Sequence, residues 1–350
     1  MIKAFYFEKN TLKILDQRLL PAKIFYIRCK THGDVYMCIR NMAVRGAPAI
    51  GVCASFGMLL ACSEKKIKNI AAMKKNLFSA GKYLVSARPT AVNLFWAVNR
   101  IEELIKKYRG GNTSELKFLI QKEAHNMYEE DVSANKTMGG YGASLFKKNS
   151  VVLTHCNTGA LATAGWGTAL GVIRSAYLQG KIKNVYVDET RPYLQGARIT
   201  AFELFREKIP CVLITDNMAG YFMSTGGIDA VIVGADRIAP NGDVANKIGT
   251  YSLAVLCKHH KIPFYIAAPV STIDSKIKNG KGIKIEFRSS KEVVTVLGKD
   301  IAPRGVKALH PAFDITPGNM ITAIITEKGI IYPPYKRRVK EFENRSTPFV

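Results

Sequence analysis

The sequence predicts an α/β protein: a Rossmann-like parallel-sheet domain on the C-terminal side and a smaller, mainly helical N-terminal domain carrying a few short strands. Two observations predict it. From about Val151 onward, short β-branched runs recur at the roughly 20- to 35-residue spacing of βαβ units and alternate with amphipathic stretches. Before that point the chain reads as long helical stretches with only brief strand-like pieces. A chain of 350 residues with 47% hydrophobic side chains can bury a large core and is long enough to divide in two.

In chain order, strand-like pieces fall at Phe5-Tyr6-Phe7 and Val35-Tyr36-Met37, followed by expected helices near residues 49–63, 67–84, 92–108 and 113–137. No flexible linker follows, and Met138-Gly139-Gly140-Tyr141-Gly142 is the softest break. The domains are therefore drawn at 1–137, mainly helical with short antiparallel strands, and 138–350, the Rossmann-like domain. In the second, strands are expected at residues 151–154, 185–187, 211–214, 230–233 and 264–266, with helices near 160–179, 195–207, 217–223 and 247–260. Ligands of such sheets gather at the carboxyl ends of the strands. Four of those ends are polar: residues 154–159, 188–192, 215–217 and 234–237.

The formal charge of +24 favours polyanions and small anionic substrates alike. The basic residues are mostly dispersed pairs, Lys65-Lys66, Lys74-Lys75, Lys106-Lys107 and Lys147-Lys148, with one cluster at Lys336-Arg337-Arg338. No basic stripe is interleaved with aromatics, so a solvated lysine-rich surface is favoured and no specific nucleic-acid partner is expected. Apolar stretches fall short of the about 20 residues that span a bilayer, and the N-terminus lacks a signal-peptide core, so the expected location is cytoplasmic, away from membranes. Seven cysteines without C-x-x-C spacing are expected as small core residues, not as a disulfide frame or zinc site.

Asp188 follows the second sheet strand, where an acid could bind a nicotinamide cofactor's ribose, but the first turn reads His155-Cys156-Asn157-Thr158-Gly159 instead of G-x-G-x-x-G. A phosphate-cradling G-x-x-x-x-G-K-[ST] and a hydrolase G-x-S-x-G are missing too. The six histidines do not pair at metal-ligand spacing, so no metal and no cofactor are expected. What the first turn offers is a thiol, Cys156, beside an expected helix start whose N–H groups would lower its pKa or hold an anion. A structural cysteine fits there equally well. Asp236, just past the fourth strand, could exchange protons near neutrality if apolar walls raise its pKa, or could simply pair with Arg237. The loop at residues 240–250 opens another expected helix with Lys247 alongside, suited to an anion. Arg45, in Arg45-Gly46-Ala47-Pro48, and Arg88, in Arg88-Pro89-Thr90-Ala91, each precede a helix and are either anion ligands or surface arginines.

Taken together, these segments closely resemble the methylthioribose-1-phosphate isomerases, whose relatives include ribose-1,5-bisphosphate isomerase and regulatory subunits of the translation-initiation guanine-nucleotide exchange factor. The resemblance runs nearly end to end: Leu15-Asp16-Gln17-Arg18-Leu19-Leu20-Pro21, residues 45–51, 88–93 and 154–159, Glu189-Thr190-Arg191-Pro192 with Gln195-Gly196-Ala197-Arg198, residues 234–236 and 241–247, and Pro311-Ala312-Phe313-Asp314-Ile315-Thr316-Pro317. It implies conversion of 5-methylthioribose 1-phosphate to 5-methylthioribulose 1-phosphate, with Cys156 and Asp236 as the catalytic pair. It also implies that Arg45, Arg88, Gln195, Asn246 and Lys247, with backbone N–H groups at Gly46 and Ala47, hold the phosphate and sugar hydroxyls. A homodimer is implied as well. The anomeric phosphate locks the sugar ring, so the pair must open the ring before a proton moves between C2 and C1. Which member does which, and whether a hydride shift replaces the enolate, stays open. Related sugar phosphates, ribose 1,5-bisphosphate or 5-deoxyribose 1-phosphate, are the alternative substrates, and a non-catalytic regulatory relative is the rival from another class. Two positions depart from the family pattern: Phe287 stands where a second acid is usual, and Arg18 where a small polar residue is common.

Overall fold

The computed structural model describes residues 1–63, 67–89 and 91–343; the Lys65-Lys66 pair lies outside them. The chain divides into two compact units. One comprises Ile2–Ser133 with Ala160–Gly167, and the other Ala134–Gly159 with Thr168–Val350 and Met1.

The first unit opens with an antiparallel meander, β1 (Phe5–Glu8), β2 (Thr11–Leu15) and β3 (Tyr26–Cys29), in register Phe5↔Ile14 and Leu12↔Cys29. Its helices are α1 (His32–Arg40), α2 (Ala47–Ala61), α3 (Ile70–Val85), α4 (Val92–Lys107) and, as far as Ser133, the long α5 (Thr113–Ala143), whose last residues belong to the second unit. Helix α2 is the core of this unit: every residue from Ala49 to Ala61 is buried, as befits a helix apolar all round.

Two expectations for this half are corrected. Val35-Tyr36-Met37 is helical, within α1. A local capping box decides it, with the Thr31 side chain accepting from the Asp34 N–H and the Asp34 carboxylate accepting from the Thr31 N–H. The glycines of Met138-Gly139-Gly140-Tyr141-Gly142 do not break the chain but lie inside α5. There Gly142 meets Val172, with no room for a Cβ, so its smallness serves packing.

The second unit is a seven-stranded sheet. Its elements are β4 (Ser150–Thr154), α6 (Ala169–Leu178), β5 (Ile182–Asp188), α7 (Ala201–Arg206), β6 (Cys211–Ile214), α8 (Ala219–Ser224), β7 (Ala230–Val233), the hairpin strands β8 (Arg237–Ile238) and β9 (Val244–Lys247), α9 (Thr250–His260) and β10 (Phe264–Ala267). There follow α10 (Lys291–Val294), β11 (Thr295–Val296), β12 (Lys299–Asp300), β13 (Phe313–Thr316), β14 (Ala323–Thr326), β15 (Gly329–Ile331) and α11 (Tyr335–Glu343). The sheet order is β15-β14-β10-β7-β4-β5-β6. All neighbours are parallel except β15, which returns antiparallel to β14. Successive residues feed opposite cores: Leu153, Val231, Val233, Phe264 and Ile266 face one, and Val152, Ile232, Tyr265 and Ile325 the other. Both faces are therefore apolar, as parallel sheets require. Strand β4 sits between β7 and β5, so the winding reverses direction between β4 and β7; at such a switch point the turns diverge and leave a crevice.

The helix expected at residues 160–179 is shorter than its apolar pattern suggested. Only Ala169–Leu178 is α-helical, after a single 3₁₀ turn at Ala160–Ala162. Trp166 (φ +69) and Gly167 (φ +91) are left-handed, a conformation that a right-handed helix cannot include. The lysines at 75, 106, 107, 147 and 148 and the basic cluster at 336–338 are exposed. No helix among the described residues is long and apolar enough to cross a membrane.

Candidate functional site

The turns that follow β4, β5 and β6 are joined by a chain of hydrogen bonds centred on Cys156. This residue is 7% exposed and has φ +63, a left-handed conformation costing a non-glycine residue on the order of 1–2 kcal/mol. Its N–H donates to Thr190 Oγ1 (2.7 Å), and its carbonyl accepts from Thr200 Oγ1 (2.6 Å). Thr190 is also left-handed (φ +64). The Asp216 carboxylate accepts from the Thr190 N–H and the Arg191 N–H, both at 2.7 Å. Thr200 ends a π-helical turn, Gly196–Thr200, that runs directly into α7.

Next to Cys156, the fully buried His155 places Nδ1 2.9 Å from Asp188 Oδ2 and Nε2 2.9 Å from the Ile248 carbonyl. A carbonyl only accepts, so Nε2 carries a proton; the Nδ1–Asp188 contact then needs one more, on either partner. The directions of both pKa shifts fit a firmly held proton. Burial opposes charging His155, but its bond to Asp188, the Asp188 and Asp216 charges and the Ile248 carbonyl prevail and raise its pKa. Burial raises that of Asp188, against the pull of His155. Candidate metal-ligand atoms of His155, Asp188 and Asp216 lie within 4.8 Å of one another. Both His155 nitrogens and both Asp216 oxygens are already held by the protein, however, so the trio is a hydrogen-bond network.

Asp236 leaves β7, the strand beside β4, and its N–H donates to the Ala245 carbonyl (2.9 Å) where β8 and β9 begin to pair. The side chain is partly exposed. Lys247 ends β9, donates from Nζ to the Ala312 carbonyl (2.9 Å) and stands 4.4 Å from the Phe313 ring centre. Asn246, 4% exposed, donates to Thr250 Oγ1. Gln195 directly precedes the π turn and keeps a buried Oε1 with no hydrogen-bond partner among the described residues.

Two expectations about helix starts are corrected. Cys156 does not abut a helix N-terminus: α6 begins only at Ala169, and its Leu170 N–H is bound by Thr158 Oγ1. The start of α9 is not open to an anion beside Lys247 either, because the Asp314 carboxylate accepts from the N–H groups of Gly249 (2.7 Å) and Tyr251 (3.1 Å).

In the helical unit, Arg45 is buried and precedes Gly46, the N-cap of α2. Gly46 has φ +94, and a Cβ there would run into the Ala162 carbonyl. As a glycine, the N-cap residue has no side chain to cap this helix, so the first N–H groups, beginning with Ala47, are of the kind that bind anions. Arg88, half-buried, lies in the turn between α3 and α4.

Sequence reasoning passed over Thr190, Thr200, Asp216 and His155 as working residues. For His155, Thr190 and Asp216 the signal was the polar clustering at four strand ends, which the strand order β7-β4-β5-β6 places side by side; Thr200, inside the helix expected at 195–207, gave none. The other six cysteines are free thiols, all buried except the half-buried Cys211. Burial raises the thiols of Cys53 and Cys211 and pushes Cys257 up to about 12, which makes them poor nucleophiles.

Comparison with known proteins places the chain. The sequence model of the initiation factor 2 subunit family matches residues 43–333. A methylthioribose-1-phosphate isomerase of Caldicellulosiruptor saccharolyticus is 53% identical over 98% of this chain and 100% of its own. The solved 5-methylthioribose 1-phosphate isomerase of Pyrococcus horikoshii OT3 superposes with a TM-score of 0.93 at 45% identity, covering 98% of this chain and 96% of that one. A solved structure described as translation initiation factor eIF-2B, subunit delta, from A. fulgidus reaches 0.88, also at 45% identity, covering 98% and 99%.

Proposed function

We infer the reaction from the premise that the chain belongs to the initiation factor 2 subunit family and, within it, aligns over 95–98% of its length with relatives named for one isomerisation. The chain is an aldose–ketose isomerase that converts 5-methylthioribose 1-phosphate to 5-methylthioribulose 1-phosphate, a step of methionine salvage. The observation that carries this reading into chemistry is the placement of a thiol and a carboxylate, Cys156 and Asp236, on the turns leaving adjacent strands at the sheet's switch point.

The substrate's anomeric phosphate prevents spontaneous ring opening. Asp236 is assigned as the acid that protonates the ring oxygen, and Cys156 as the relay for the proton that passes between C2 and C1 through an enolate. Arg45, the N–H groups of Gly46 and Ala47, and Arg88 are assigned to the phosphate, as fits a guanidinium beside an uncapped helix start. Gln195, with its unpartnered buried amide oxygen, and Asn246 and Lys247 are assigned to the sugar and its phosphate. The chain is read as a cytoplasmic homodimer. Edge strand β6 supports the dimer, since Val212 and Leu213 are 42% and 50% exposed there and such an edge invites pairing.

Incubation with 5-methylthioribose 1-phosphate and detection of the ketose tests the reading, using wild type, Cys156→Ala and Asp236→Asn. Conversion by wild type and its loss in both variants is the expected result; full activity in either variant removes that residue from the mechanism. A wild type inert here but active on ribose 1,5-bisphosphate changes the substrate. Inertness on both favours the regulatory reading that the second structural relative's description raises.

A further inference from the structure

We propose that Thr190 and Thr200 are positioning residues for the isomerisation, two buried hydroxyls that hold the Cys156 backbone in its left-handed conformation and so aim the thiol. The proposal rests on the reading of Cys156 as a reacting group.

Thr190 is 0% and Thr200 1% exposed, so neither hydroxyl has water as an alternative partner, and the hydrogen-bond directions follow from the partners. Thr190 Oγ1 accepts from the Cys156 N–H (2.7 Å) and donates to the Asp188 carbonyl (3.1 Å). Thr200 Oγ1 donates to the Cys156 carbonyl (2.6 Å) and accepts from Asn157 Nδ2 (3.1 Å). Each hydroxyl thus uses one donor and one acceptor function, and one side of each is spent on the two peptide groups flanking the Cys156 Cα. Those two peptide planes define φ and ψ at Cys156, hence the direction of its Cα–Cβ bond. A residue at φ +63 relaxes toward the ordinary regions unless its surroundings over-determine it.

The clamps are themselves anchored. The Thr190 N–H is held by Asp216. The Asn157 amide that feeds Thr200 also donates to Glu203 Oε1 (2.8 Å), which lies 1% exposed beside Arg174. The segments Glu189-Thr190-Arg191-Pro192 and Gln195-Gly196-Ala197-Arg198, with the π turn that brings Thr200 to the Cys156 carbonyl, gain a shared purpose. Misplacement of a reacting group by about 1 Å costs about a hundredfold in rate.

The test is steady-state kinetics on Thr200→Val, Thr190→Val, Thr200→Ser and Thr190→Ser, run well below each variant's melting temperature, beside Cys156→Ala. Valine keeps the shape and removes the hydroxyl; serine keeps the hydroxyl. Expected is a kcat about 10- to 100-fold lower for the valine variants with KM within about threefold, and serine variants within about threefold of wild type. Should Thr190→Val fail to fold, Thr200→Val decides. A second readout is the iodoacetamide alkylation rate of Cys156, followed by peptide mass spectrometry. It should change several-fold in Thr200→Val and stay at the wild-type value in Thr200→Ser. The clamp is overturned by valine variants with kcat within about twofold of wild type, by a raised KM at unchanged kcat, or by serine variants as impaired as valine ones. An active Cys156→Ala overturns the reading beneath it; an inactive Cys156→Ala with active valine variants overturns the clamp alone.

Discussion

The turn carrying Cys156 and the hairpin carrying Asp236 leave neighbouring strands, β4 and β7, yet they are held by different means. Cys156 is strained, buried and gripped at both peptide groups by side-chain hydroxyls. Asp236 enters an ordinary antiparallel pairing, its N–H bound to the Ala245 carbonyl and the next residues in register Arg237↔Ala245 and Ile238↔Val244. Side chains therefore aim the thiol, and the main-chain ladder aims the carboxylate. A side-chain device can be dismantled by one conservative substitution, whereas a ladder yields only to a change in the backbone.

The largest expected effect removes the groups themselves: Cys156→Ala and Asp236→Asn should each lower kcat by about 10³-fold, measured as ketose formation. A wide inequality between the two would mean that one turn carries most of the chemistry. Next, Ala245→Pro strikes the ladder. Strand β9 is the central strand of β13-β9-β8, where proline has no place, so a loss of about 1–3 kcal/mol in denaturant unfolding is expected from the missing ladder bond, with activity falling alongside. Should Ala245→Pro retain full stability, the contrast between the two turns dissolves.

A smaller effect concerns the proton held beside Cys156. The folded pKa values of His155 and Asp188 are both raised, so the folded chain binds protons more tightly than the unfolded one. The stability this gives is full on the acid side and is lost as pH rises through the folded values, for His155 above its ordinary 6.5. Unfolding free energy should fall with rising pH through that window by up to about 1.4 kcal/mol per unit. His155→Gln should flatten the dependence in a series of melts. The smallest effect is at Phe287, which the sequence marks as a departure from the resembled pattern: the side chain is 66% exposed, so Phe287→Glu should leave stability within about 0.5 kcal/mol and kcat within about twofold.

Much of this was legible in the sequence. Cys211–Ile214 and Ala230–Val233 are the expected strands to the residue, because short apolar runs rich in Val and Ile between turn residues have few other fates. Val35-Tyr36-Met37 misled because two β-favouring side chains, Val35 and Tyr36, outweighed the capping signal of Thr31 with Asp34 just upstream. The stretch at 160–168 misled because its small apolar residues suit a helix while the left-handed Trp166 leaves no trace in composition. At the site, Cys156 and Asp236 could be picked out by their place after strands. Thr190 and Thr200 could not, since a threonine that grips a backbone 34 or 44 residues away looks like any other threonine until the strands are ordered.

The short excursion Ala160–Gly167 has a consequence for how this chain can be cut and recombined. It belongs to the helical unit, where Leu161 gives its carbonyl to Gln17 and Ala164 its N–H to Asp131, although its codons lie inside the stretch encoding the sheet. A fragment ending at Ser133 would lack that inserted piece and lose both of these hydrogen bonds. The helical unit is therefore no portable cassette: a single crossover after residue 133 would splice it without its own keystone, and only an exchange that carries residues 160–167 along transplants it whole.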